Sequence, residues 1–123
     1  MRLKLVFSYI ILAFLLLGCQ EARDARALKK QRKADAVPMN GMLMYKADAA
    51  AFVQCNTNEM FVVKFKGDWL AVERAYVNST PPGGLVYVEF RGRMESDTTD
   101  GRVRAGVVIE EITMMRPDTV CQN

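Results

Sequence analysis

The sequence predicts a mainly β domain, a small five-stranded barrel with one short helix, standing behind an apolar leader and a polar tether. Three observations predict it. Apolar and polar residues alternate along Met60–Lys66, Leu85–Met94 and Arg102–Ile109, the period of a strand with one wet face. Between the first and second of these, Trp69, Val72 and Tyr76 recur at helical spacing and give a single packing stripe. At Glu110-Glu111 the apolar phase then flips to Ile112 and Met114, as it does at a β-bulge that bends a strand around a small barrel. Three strands, a helix and two strands is the element order of an OB-type barrel.

Ahead of the barrel, Arg2 and Lys4 precede an apolar run from Leu5 to Leu17. That run is shorter than the roughly 20 residues a membrane-crossing helix needs, so it reads as a secretory signal rather than a span. Its end, Leu16-Leu17-Gly18-Cys19, resembles the lipobox of bacterial lipoproteins. The resemblance implies cleavage before Cys19, a covalent lipid on that cysteine, and a membrane partner through the anchor. Gln20 stands where an inner-membrane retention signal would place an aspartate. By resemblance to that sorting rule, the protein belongs to the cell envelope, at the outer membrane facing the periplasm.

The expected organisation is therefore a signal peptide over 1–18, a lipidated cysteine and charged tether over 19–37, and the β domain over 38–123. Glu21–Asp35 carries six bases and three acids with Leu28 as its one large hydrophobe, which suits a solvated spacer or a marginal helix. The formal net charge of +3 arises in the leader and tether. From Ala36 onward nine bases face eleven acids, so no basic face for nucleic acid is expected.

Within the body, Gly41–Lys46 and Ala50–Cys55 read as the first two strands, with Asn56-Thr57-Asn58-Glu59 as a turn. Phe61, Val63 and Phe65 should share the buried face of the third strand, opposite Lys64 and Lys66. Gly67 breaks that strand, and Asp68 is placed to N-cap the helix. Asn78-Ser-Thr-Pro-Pro-Gly-Gly84 ends the helix. In the fourth strand Val86, Val88 and Phe90 should point inward. Ser96-Asp-Thr-Thr-Asp-Gly101 reads as a polar turn, and Val103, Ala105, Val107 and Ile109 as the buried face of the fifth strand.

Three stretches carry a family resemblance: Met44–Cys55, which contains Tyr-x-Ala-Asp-Ala-Ala-x-Phe-x-x-Cys; the helix Leu70-Ala-Val-Glu-Arg-Ala-Tyr76; and Val86-Tyr-Val-Glu-Phe-Arg-Gly92, with Cys121 at the far end. Together they look like the C-terminal domain of the NlpE copper-homeostasis and surface-adhesion lipoproteins, over about residues 40–121. The resemblance implies an OB barrel, a disulfide between Cys55 and Cys121, and an accessory role in envelope stress or redox sensing with an envelope protein as partner. Full-length members add a lipocalin-like domain with a Cys-x-x-Cys motif and signal to the Cpx sensor kinase. Neither that domain nor that motif is in this sequence. The cysteine count agrees with the implied pair, since a lipid on Cys19 leaves Cys55 and Cys121 in an oxidising compartment. Closing a loop of about 65 residues restricts the unfolded chain by roughly 4 kcal/mol.

Two other roles remain open beside the sensor. The disulfide can be a structural staple on a ligand-binding lipoprotein. Met39, Met42 and Met44 offer thioethers of the kind that select Cu(I). On a strand Met39 falls on the other face from Met42 and Met44, so a three-sulfur site needs a turn at Gly41. No enzyme is expected. The chain has no histidine, and adjacent Glu110 and Glu111 would face opposite ways on a strand. Asp97 and Asp100 lack the spacing of a calcium loop.

Overall fold

The computed structural model describes residues 2–122, leaving out the side chains of residues 14–20, 97 and 99. The chain divides into two units, Met1–Ala34 and Asp35–Asn123. The first is one helix, α1 (Arg2–Ala34), which passes through the expected cleavage point without a break and takes in the segment read as tether. The Cys19 side chain lies outside the described residues. Among the described residues, no helix is long and apolar enough to cross a membrane.

The second unit is a closed barrel in the order β1-β2-β3-β5-β4. Its strands are β1 (Val37–Lys46), β2 (Ala49–Gln54), β3 (Met60–Val63), β4 (Val86–Thr99) and β5 (Arg102–Arg116), with α2 (Trp69–Ser79) between β3 and β4. All neighbours are antiparallel except β3 and β5, which run parallel at Val62–Gly106 and Val63–Val107 and so close the ring. This is the OB-type barrel with one helix that the alternation predicts. Leu43, Phe52, Val86, Val88, Phe90, Val107 and Ile109 fill its interior, and Trp69, Val72 and Tyr76 of α2 plug one end. Every buried residue of that core lies in the segment from Ala36 on, so residues 35–123 form a folding unit with its own core.

Several elements differ from expectation. β1 begins at Val37, four residues early, and runs straight through Gly41. That glycine is there for packing, because a Cβ would sit 2.6 Å from the Phe52 ring. β3 ends at Val63, since the chain must leave the ladder there to cross β5 and enter α2. Gly67 makes the crossing at φ 61°, where a Cβ would lie 2.5 Å from the Ile109 carbonyl oxygen. Phe65 therefore leaves the core, is 46% exposed, and stacks on Trp69 at 4.5 Å. The expected polar turn is also shorter. β4 continues to Thr99 and the reversal is made by Asp100-Gly101 alone, both at positive φ, the geometry of a tight hairpin. Consequently Val103 and Ala105 lie on a ribbon that projects past the barrel, and Val103 is 73% exposed instead of buried.

The expected bulge is present. Register shifts between Glu89 and Phe90 and between Arg91 and Gly92 leave Thr113 and Glu110 without a ladder partner on β4. Thr113 Oγ1 recovers a bond by donating to the Glu89 carbonyl at 2.9 Å.

Candidate functional site

The chemistry-bearing region lies where the C-terminal tail meets the barrel wall. Cys55, at the turn after β2, is buried, and its sulfur is bonded to that of Cys121 with the two Cα atoms 5.3 Å apart. The Cys55 amide donates to the Asn40 carbonyl of β1 at 3.1 Å. Asn40 Nδ2 donates to the Tyr87 hydroxyl at 3.2 Å, and that hydroxyl donates to Glu89 Oε1 at 2.8 Å. A polar relay thus runs from the disulfide's anchor strand onto β4. Thr119, Val120 and Gln122 of the tail close a shallow cleft of ≈ 360 Å³ over Asn40, Tyr87 and Glu89. Among the described residues, the tail's own hydrogen bond is the local one from Thr119 to Asp118, so the disulfide is its attachment to the barrel. Neither the relay nor the tail stands out in the sequence, because Asn40 and Tyr87 meet only through the β1–β4 register.

The methionines are not gathered. Met39 points into the core and is 9% exposed, while Met42 and Met44 lie on the outer face of the same unbroken strand. Without a turn at Gly41 the three sulfurs cannot converge, which corrects the geometry expected for a three-thioether copper site. Instead, the β1–β2–β3 register sets Met60 in line with Met42 across Val53.

Asp68 precedes α2 but does not cap it by its side chain. Its carboxylate accepts from the Ile112 amide at 3.3 Å, and its amide donates to the Ile109 carbonyl at 2.8 Å. The residue fastens α2 to the bulged stretch of β5. At the other edge of α2, Tyr45 meets Phe65, Trp69 and Tyr76 edge-on, with ring centroids 5.2–6.0 Å away. Its hydroxyl donates to Glu73 at 2.8 Å, and that bond holds the Tyr45 pKa above its ordinary value. The phenol therefore stays protonated in the physiological range and offers a hydrogen bond, not a base. Beside it, the Ala47-Asp48 turn, the last turn of α2 and the Thr80–Pro82 loop frame a cleft of ≈ 580 Å³.

Glu110 and Glu111 take opposite environments. Glu110 is buried and accepts from Arg93 Nε at 2.8 Å, whereas Glu111 is exposed. Arg93 also reaches Glu95, which in turn pairs with Lys66 at 2.7 Å. Two lysine- and arginine-held carboxylates in a row make a structural ion chain. The expected Asp97–Asp100 turn is split, with Asp97 on β4 and Asp100 in the hairpin.

A closed barrel with a plugging helix and a disulfide-fastened tail defines the chain as a stapled OB domain. A family model, the NlpE C-terminal OB domain, matches residues 33–122, and the chain belongs to that family. The crystal structure of the Cpx pathway activator NlpE from Escherichia coli is similar in fold, with a TM-score of 0.60 and 21% identity. The match covers 72% of this chain and 45% of that one, so this chain spans less than half the length of the protein it resembles. No curated protein matches.

Proposed function

We propose that the chain is a lipid-anchored protein of the cell envelope, held through Cys19 at the outer membrane, and that it serves as an accessory of envelope redox or stress sensing through Cys55–Cys121. Membership of the NlpE family supports the envelope setting. The observation that carries the sensing role is the tail, bound to the barrel by that one disulfide while the barrel is closed by its own ladders.

Breaking the bond takes two electrons from a dithiol. Its thiolate attacks the half-buried Cys121 sulfur, the buried Cys55 leaves as thiolate, and the second donor thiol resolves the mixed disulfide. Loss of a crosslink worth roughly 4 kcal/mol would be expected to loosen the barrel as a whole. The architecture favours a more local change, in which the tail departs and uncovers Asn40, Tyr87 and Glu89 for a protein partner. A structural staple is the second reading, favoured by the burial of Cys55 at 4% exposure.

The test is the reduction potential of residues 35–123, with amide exchange in both redox forms. A potential above about −250 mV, with exchange quickened in the tail and unchanged in β1–β5, supports the switch. A potential below about −300 mV leaves a staple.

A further inference from the structure

The outer face of β1, β2 and β3 carries a block of aliphatic side chains laid out by register. Met42 stands opposite Val53, which stands opposite Met60, and beside that row Met44 stands opposite Ala51, which stands opposite Val62. Met44, Met60 and Val62 are 42%, 70% and 37% exposed, and the other three are half-buried. The two ends of the block carry opposite charge. Lys46 continues the outward face of β1 past Met44, and Lys64 continues that of β3 past Val62. At the opposite end Glu59 precedes Met60, and Glu89 of β4 stands opposite Asn40.

We propose that this face is the contact between two copies of the chain, packed sheet on sheet about a two-fold axis that lies in the plane of the face and perpendicular to its strands. That axis lays the lysine end of one copy over the glutamate end of the other, while apolar rows meet in the middle. An axis along the strands would set like charges together, so the charge distribution selects one arrangement and makes the face complementary to itself. Three methionines suit such a contact, because unbranched thioethers reshape against an identical surface without a preformed socket. Six side chains are far fewer than the 20–30 per partner of a standard interface, so the dimer is weak in solution and gains when copies are confined to a surface. Another exposed aliphatic pair, Leu70 and Val77 on α2, has Arg74 and Glu73 side by side next to it rather than at opposite ends.

The test uses residues 35–123 with the disulfide intact and the methionine methyls labelled for NMR, from about 20 μM to about 1 mM, with sedimentation equilibrium over the same range. The expected result is that the Met42, Met44 and Met60 methyls shift together along one binding curve while Met94 on the projecting ribbon stays still. The sedimentation mass rises towards two copies with the same midpoint. Met60→Glu, a change at an exposed position, should abolish both signals. Glu59→Lys should weaken association at least about fivefold, and adding Lys64→Glu, which the axis sets opposite it, should restore it. Spectra that do not change with concentration overturn the proposal. Association that survives Met60→Glu overturns it too, as does a double charge reversal that fails to recover.

Discussion

Arg93 Nε donates to the carboxylate of Glu110 at 2.8 Å, and that glutamate is one of the two residues the register shifts turn out of the β5 ladder. An extra residue that bends the strand is thus held by an arginine from the neighbouring strand. Glu110 is 6% exposed, so the Arg93 bond is what offsets the loss of water around its carboxylate.

Removing the partner should cost more than removing the pair. Arg93→Met leaves a buried carboxylate uncompensated and should lower stability by about 2 kcal/mol, which is on the order of 10 °C in Tm for a domain this size. Adding Glu110→Leu should recover at least half. Thermal unfolding of the two variants measures the difference, and a double variant no better than the single would disprove the account.

Acid should weaken a second link in the same chain. Hydrogen bonding to Lys66, then to Arg93, holds the Glu95 carboxylate below its usual pKa. A depressed folded-state value contributes stability above the unfolded pKa and loses it as pH falls through the folded one. Wild type should therefore exceed Lys66→Met in urea unfolding at neutral pH, and the gap should close on acidification below the ordinary carboxylate range.

Two glycines should fail for different reasons. Gly41→Ala drives a Cβ into the Val53 carbonyl oxygen and the Phe52 ring and should cost about 3 kcal/mol. Gly101→Ala meets nothing within 4 Å and carries only the strain of φ 73°, so about 1 kcal/mol is expected. Urea midpoints separate the two.

Asp68→Ala removes an acceptor from β5 rather than a cap from α2. Exchange of the Ile112 amide should quicken markedly, while amides in the first turn of α2 keep their protection. Loss of protection in the helix instead would restore the capping role suggested by sequence.

The strands, the helix stripe and the bulge were legible because each is a local pattern. Val86, Val88 and Phe90 alternate, and Trp69, Val72 and Tyr76 recur, whatever surrounds them. What escaped depended on register or on where the barrel ends. Val103 has the same alternation as Val107, and only the length of β3 decides that one is wet and the other dry. Thr98 and Thr99 read as turn by polarity although β-branched residues suit strands, and Phe65 read as core because the crossing at Gly67 has no local signature. The disulfide pair was legible through cysteine count and resemblance. The relay beside it was not, since Asn40 and Tyr87 are 47 residues apart in sequence.

The position of the disulfide also sets an order of events. Cys55 is made 66 residues ahead of Cys121, and every residue of α2, β4 and β5 lies between them. During synthesis Cys55 must wait as a thiol until the last strand has appeared and closed against β3. A chain that carries this bond is therefore one whose barrel has been made to the end, and an abandoned or truncated barrel keeps Cys55 open to other thiols.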